Sequence, residues 1–245
     1  MNWVTHIINA LWGLWAWLCF AAACIASLLV ALLLPGSHRR EKMTQLAARM
    51  IFVLAGVKVT VRGREHLPGD SCVVVANHAS YIDGPLLKGY LPSRFSFVIK
   101  GEMRDIPVVH FLLRRSGSRF VERNNIQGSA RDARHLVRAA KGGESLVFFA
   151  EGTFRSQPGV ARFRAGAFVA AIKGNLPVVP VAISGTRNML PSRRLWPRRA
   201  TLTIDILAPI RPGDDAFTAS RKLAEEARQR VIAALGEPDL CADES

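Results

Sequence analysis

The hydrophobic pattern divides the chain into one long apolar run, followed by short apolar runs that alternate with amphipathic stretches. Between Ile7 and Pro35 there is no charged residue. A helix from Ile7 to Leu34 would be about 40 Å long, which is enough to cross a bilayer with tilt. The pattern therefore predicts an apolar N-terminal helix that attaches the protein to a membrane.

The rest of the chain is predicted to alternate between strands and helices. Residues 41–55 place apolar side chains on one helical face, which favours packing on the body of the domain, with a position on the lipid surface as the alternative. The predicted strands are 58–62, 72–76, 95–100, 119–121, 145–150, 176–183 and 201–207, and the later helices are 107–115, 126–141, 165–173 and 217–235. This alternation indicates an α/β fold with a mixed, largely parallel sheet covered by helices on both faces.

These elements predict two units: an N-terminal membrane anchor of residues 1–40 and a single domain of residues 41–245. The chain ends in an acidic stretch, Glu237–Ser245, which we expect to be frayed because short polar termini are poorly ordered unless they are tied down.

The net charge indicates an anionic partner but does not identify its class. The 245 residues carry a formal net charge of +14 with a pI of about 10.8, which favours an anionic partner. Nucleic acid, an anionic lipid surface and a phosphorylated substrate all fit this charge. The four cysteines show neither metal-binding nor redox spacing, so we expect no disulfide framework and no metal site.

The flanks of the apolar run indicate how it sits at the membrane. A signal peptide fits poorly because a basic leader is missing and the run is longer than about 7–15 residues. Four tryptophans crowd its first half, as in an interfacial belt, and the basic cluster His38-Arg39-Arg40 follows it. For a spanning helix, this cluster places the later residues on the cytoplasmic face of the inner membrane or its equivalent. The turn signal Pro35-Gly36 keeps a re-entrant or interfacial hairpin as the alternative.

The stretch Ser71–Gly84 contains the first candidate chemistry. Its apolar residues 72–76 predict a buried strand, after which His78 is followed five residues later by Asp83. Residues five apart diverge by about 140° on a helix, but a strand–loop–helix turn lets the carboxylate fold back toward the imidazole. This arrangement would fix the tautomer of the ring at the end of a core strand. The alternatives are a structural histidine and an aspartate that caps a helix.

Three further stretches place polar residues beside the ends of apolar runs. Together with the first, they resemble four conserved sequence blocks of one enzyme family. Asn77 to Asp83 matches N-H-x-x-x-x-D, Gly117 to Arg123 matches G-x-x-F-[IV]-x-R, and Val179 to Gly185 matches V-P-V-A-I-x-G. Phe149 to Thr153 matches the start of F-x-E-G-T-R-S, but Phe154 intervenes before Arg155. In this order, the blocks resemble the glycerophospholipid acyltransferase family, most closely its 1-acyl-sn-glycerol-3-phosphate acyltransferase members.

The resemblance implies an acyltransferase domain that moves a fatty acyl group from a thioester to the hydroxyl of a lysophospholipid, giving phosphatidic acid from lysophosphatidic acid. It implies that His78 is the general base and that Asp83 orients the ring and stabilises the imidazolium, with the substrate hydroxyl as nucleophile. The donor would be a thioester of acyl-carrier protein or coenzyme A, with no other cofactor.

The resemblance also assigns residues around the acceptor and the developing oxyanion. Arg123 and Arg155 are candidates for binding the acceptor phosphate, because a guanidinium can hold it through two hydrogen bonds. Main-chain N–H groups near Gly152 and Thr153 are candidates for the oxyanion. Glu151 would position Arg155 or a backbone N–H, with a strand-end cap as the alternative.

Two other interpretations accompany this one. The acceptor could be another lysolipid, such as a lyso-ornithine lipid, or the chain could be a membrane-tethered lipid-binding protein without turnover. A nucleic-acid partner is disfavoured, because the basic residues occur among turns and helices without interleaved aromatic side chains.

Overall fold

A computed structural model of the protein describes residues 3–121, 126–154 and 157–241. Seven strands form one sheet: β1 (Val59–Arg62), β2 (Val73–Ala76), β3 (Phe95–Lys100), β4 (Arg119–Val121), β5 (Ser145–Phe149), β6 (Val178–Ser184) and β7 (Leu202–Ile206). Their order across the sheet is β1-β7-β6-β2-β5-β3-β4. All neighbouring pairs are parallel except β6 and β7, which are antiparallel. The predicted mixed, largely parallel sheet is confirmed.

Helices cover both faces of this sheet. They are α1 (Trp3–Leu33), α2 (Ser37–Leu54), α3 (Asp83–Tyr90), α4 (Pro107–Arg115), α5 (Ile126–Lys141), α6 (Gly166–Gly174), α7 (Thr186–Met189) and α8 (Ser220–Leu235). The central strand β2 is buried on both sides, which explains its continuous apolar sequence. Its alternate side chains enter two cores, one with α1, α2 and α3 and the other with α5, α6 and α8.

The apolar helix α1 lies along the body of the protein. Trp12 and Trp15 donate their indole N–H groups to the carbonyls of Ala55 and Leu54, at 2.9 and 2.8 Å. Trp17 donates to the carbonyl of Leu195 at 2.9 Å. At the far end of the helix, Arg115 Nε donates to the carbonyl of Ala31 at 2.9 Å.

A glycine on α1 lies against another tryptophan ring. A Cβ atom on Gly13 would lie 2.3 Å from the indole nitrogen of Trp196, so a larger residue at this position would displace the ring. Among the described helices, one segment, Thr5–Leu33 within α1, is long and apolar enough to cross a membrane. The division between an anchor and a domain at residue 40 stays a prediction.

The C-terminal segment corrects one expectation. Instead of fraying, residues 237–241 pack against the segment that precedes α6. Val160 donates its N–H to the carbonyl of Pro238 at 3.0 Å, and Leu240 donates to the carbonyl of Val160 at 3.2 Å. A buried arginine on α8, Arg228, binds Asp239 through both terminal nitrogens. This acidic segment is ordered because Asp239 pairs with the buried guanidinium of Arg228. Residues 242–245 lie outside the described residues.

Candidate active site

The loop between β2 and α3 brings His78 and Asp83 together, as the sequence predicts. The Nδ1 atom of His78 lies 2.9 Å from Oδ2 of Asp83. The same oxygen accepts the N–H groups of Ala79 and Ser80 at 2.7 and 2.8 Å. Asp83 is the first residue of α3 and is 0% exposed, so its carboxylate is held by the turn that the helix start creates.

This geometry selects one tautomer of the imidazole. A carboxylate oxygen can only accept a hydrogen bond, so Nδ1 of His78 carries the proton and Nε2 is the basic nitrogen. The His78 side chain is 18% exposed, whereas Asp83 is inaccessible. The pair therefore presents a base whose orientation is fixed from the buried side.

Glu151 holds the main chain of the same loop. Its Oε1 atom accepts the N–H of His78 at 2.8 Å, and its Oε2 atom accepts the N–H of Ala161 at 2.9 Å. Burial raises the pKa of Glu151, and the two main-chain donors partly offset this effect. Glu151 thus holds the backbone N–H of His78, and a role toward Arg155, which lies outside the described residues, stays a prediction.

Asn77 joins the loop to the neighbouring strand β6. Its side-chain nitrogen donates to the carbonyl of Ile183 at 3.0 Å, and its side-chain oxygen accepts the N–H of the same residue at 2.7 Å. Both side chains are buried, so these bonds satisfy backbone groups that water cannot reach. The motif alone predicts no role for Asn77.

Two aromatic rings contact the imidazole of His78. The ring of Phe149 is stacked on it with centroids 4.3 Å apart, and the ring of Phe154 meets it at 60° with centroids 4.6 Å apart. Phe154 also contacts Tyr81, with centroids 4.7 Å apart. The phenylalanine that interrupts the third block is therefore part of the wall around the base.

The other predicted residues have different outcomes. The N–H of Gly152 donates to the carbonyl of Phe149 at 3.0 Å within a turn, so this donor is already engaged and is a poor candidate for the oxyanion. Thr153 is exposed next to it. Arg123 and Arg155 lie outside the described residues, and their phosphate-binding roles stay predictions. In the described ranges, no three His, Cys, Asp or Glu side chains cluster closely enough to hold a metal ion.

Comparisons with known proteins agree with this site and fold. The sequence model of the Acyltransferase family matches residues 58–184, about half of the chain and the part that contains His78, Asp83 and Glu151. The protein belongs to this acyltransferase family. A crystal structure of the 1-acyl-sn-glycerophosphate acyltransferase PlsC from Thermotoga maritima superimposes with a TM-score of 0.76 at 26% identity, covering 94% of this chain and 96% of that one.

The curated relatives are longer proteins, and this chain matches only part of each of them. The 1-acyl-sn-glycerol-3-phosphate acyltransferase of Saccharomyces cerevisiae is 27% identical over 188 residues, which are 76% of this chain and 62% of the yeast protein. The chloroplastic enzyme BAT2 of Brassica napus is 28% identical over 71% of this chain and 54% of its own length. The human beta enzyme is 28% identical over 81% of this chain and 72% of its own length. The chain thus spans little more than half the length of some relatives.

Proposed function

We propose that this protein transfers a fatty acyl group from an acyl thioester to the free hydroxyl of lysophosphatidic acid, forming phosphatidic acid. The observation that carries the proposal is the 2.9 Å contact between His78 Nδ1 and Asp83 Oδ2 at the end of a central strand. The activities for which the relatives and the structural neighbour are named support the same substrate class.

The proposed reaction needs no nucleophile from the protein. Nε2 of His78 takes the proton of the lipid hydroxyl as its oxygen attacks the thioester carbonyl, and a carbon–oxygen bond forms. The tetrahedral intermediate then collapses, the carbon–sulfur bond breaks, and the imidazolium returns the proton to the departing thiolate. General base catalysis of this kind contributes about 10²–10⁴-fold. Asp83 stabilises the imidazolium that forms between the two steps.

The acceptor phosphate is proposed to bind Arg123 and Arg155, and the donor to be an acyl thioester of acyl-carrier protein or coenzyme A. Lysophosphatidic acid is anionic and so are both donors. A chain with a net charge of +14 attracts all three.

We infer that the protein works at a bilayer, with α1 in the interface instead of across it. The outer stripe of α1 (Leu11, Leu18, Ile25, Leu29 and Leu32) is exposed and apolar. Exposed large apolar residues also occur on α2, near the start of α4 and at Leu195-Trp196, whereas α6 and α8 have none in the described chain. A spanning α1 would have to leave the body of the domain and lose the indole hydrogen bonds that Trp12, Trp15 and Trp17 donate to main-chain carbonyls.

A single assay tests the catalytic proposal. Purified protein is mixed with labelled lysophosphatidic acid or lyso-ornithine lipid and with each of the two donor types, and labelled diacyl product is measured. We expect product from lysophosphatidic acid, and a loss of about 10²–10⁴-fold in His78→Ala, with the fold retained as measured by circular dichroism. Binding of lysolipid without turnover, or substantial turnover by His78→Ala, would contradict the proposal.

A further inference from the structure

The segment Glu237–Leu240 is attached to the segment Gly159–Ala161 by side-chain and main-chain bonds. The carboxylate of Glu237 accepts the N–H of Gly159 at 2.9 Å, and its other oxygen binds Arg187 at 2.8 Å. The main-chain bonds of Val160 to Pro238 and Leu240 continue the contact. A Cβ atom on Gly159 would lie 2.6 Å from Leu240, so the two segments approach as closely as only glycine permits.

The attached segment reaches the candidate base through Glu151. Ala161 is two residues after Gly159, and its N–H binds one oxygen of Glu151 while the N–H of His78 binds the other. Hydrogen bonds, joined by the main chain from Gly159 to Ala161, therefore connect the carboxylate of Glu237 to the backbone of His78. Each bond is between groups on different segments, so movement of one segment changes the position of the next.

Helix α8 fixes the C-terminal segment from the other side. Arg228 is 4% exposed and binds both oxygens of Asp239, the second at 2.8 Å, and also both oxygens of Glu225. The buried guanidinium of Arg228 is paired with both carboxylates. This makes it a rigid support, because leaving a buried charge unpaired would cost free energy. The segment is thus held on α8 and presents Glu237 to the loop next to the active site.

We propose that Glu237 is a positioning residue for the general base of acyl transfer: it holds the Gly159–Ala161 segment, and through Glu151 it fixes the backbone of His78. This inference rests on the proposed function for its effect on turnover. Its structural part does not, because the order of the His78 backbone can be measured without substrate.

The test compares Glu237→Ala with Glu237→Gln in the full-length protein. We expect kcat to fall about tenfold in Glu237→Ala with the KM values for both substrates within about twofold, since a small misplacement of a reacting group affects turnover more than binding. Glu237→Gln keeps an acceptor for the Gly159 N–H and should recover most of the activity. Glu226→Gln is the matched control, because it removes an ion pair with Arg230 on the same helix without touching this segment.

Amide hydrogen exchange at His78 supplies the readout that is independent of turnover. Exchange should accelerate about tenfold or more in Glu237→Ala and remain unchanged in Glu226→Gln. Unchanged exchange at His78 in a folded Glu237→Ala protein would overturn the inference, as would a change in KM alone. If the wild type shows no acyl transfer but exchange responds as expected, the proposed function fails while the positioning contact stands.

Discussion

The site depends most on one oxygen atom. Oδ2 of Asp83 accepts hydrogen bonds from the imidazole and from two backbone N–H groups, while Oδ1 is buried and has no hydrogen-bond partner in the described chain. The carboxylate therefore shapes the loop and orients His78 at the same time. A substitution that preserves its shape separates these two roles.

Asp83→Asn is the substitution that makes this separation. The amide oxygen can still accept the backbone N–H groups, but a neutral amide cannot stabilise the imidazolium. We expect kcat to fall about 10³–10⁴-fold while the melting temperature changes by only a few degrees. Steady-state kinetics and thermal unfolding measure the two effects. A variant that keeps a tenth of the activity would show that Asp83 has only a structural role.

Phe154 gives a second prediction at this scale. Its ring borders the imidazole, and an aromatic pair of this kind contributes about 0.5–1.5 kcal/mol, equivalent to about 2–10-fold in rate if the contact holds the ring in place. Phe154→Ala should lower kcat by about that factor, and Phe154→Tyr should be close to wild type. Equal activity of all three proteins would show that the ring does not assist catalysis.

The chemistry of individual residues was partly predictable. His78 and Asp83 could be paired because a strand end followed by a helix start brings positions five apart into contact. The rings of Phe149 and Phe154 and the N–H of Ala161 could not be placed, because they arrive from another strand end and its loop. Hydrophobic patterning does not describe how such a loop folds back.

At the scale of elements, strongly periodic segments were predicted best. The bounds of β3, α4, β4 and α5 agree with the sequence prediction, and α4 begins with proline, which fits a first turn. Only the start of α3 was predicted, as the helical end of a strand–loop–helix turn, and its extent was not, because its sequence contains a proline and two glycines. Gly89 is needed there, since a Cβ atom would lie 2.8 Å from the backbone of Arg49 on α2.

The order of the C-terminal segment was also not predictable from sequence, and its ion pair leads to a prediction about stability at low pH. The hydrogen bonds from Arg228 hold the pKa of Asp239 at about 2, below its ordinary value of 3.8. Because the folded state binds this proton less tightly, the ion pair stabilises the protein above about pH 4, and this contribution is lost as the pH falls toward 2. Sequence composition could not reveal this ion pair, since the partner of Asp239 is a buried arginine on α8.

Asp239→Asn tests this linkage. The variant should unfold at a lower temperature than wild type at pH 7, and the difference should shrink between about pH 4 and pH 2 as the wild-type carboxylate becomes protonated. Scanning calorimetry across this range measures it. A difference that is independent of pH would show that Asp239 contributes through packing instead of charge.

For the whole molecule, the two sides of the sheet differ in character. The side with α1 and α2 exposes apolar side chains, whereas α8, on the opposite side, is polar outside. Hydropathy predicted the attachment of α1 to a membrane but could not distinguish a spanning helix from one that lies along the body. The indole hydrogen bonds of Trp12, Trp15 and Trp17 hold α1 against the body of the domain, which supports the proposed position in the interface.

Membrane binding should therefore depend on the outer stripe of α1. Leu18→Glu with Ile25→Glu leaves the buried face of α1 intact, and we expect it to remove most co-sedimentation with anionic vesicles, since each charge opposes burial in lipid. Arg221→Gln with Lys222→Gln on α8 is the matched control, because it changes the net charge by the same amount on the opposite side. Equal loss in both would point to charge alone.

The bond from Trp17 to Leu195 spans 178 residues of sequence. During synthesis, α1 leaves the ribosome long before its partner exists, by about 10–35 s at the usual rates of elongation. In that interval neither the loop that carries Trp196 nor the later strands of the sheet can cover the apolar helix. If α1 binds a bilayer as proposed, the nascent chain can meet the membrane before its own fold is complete.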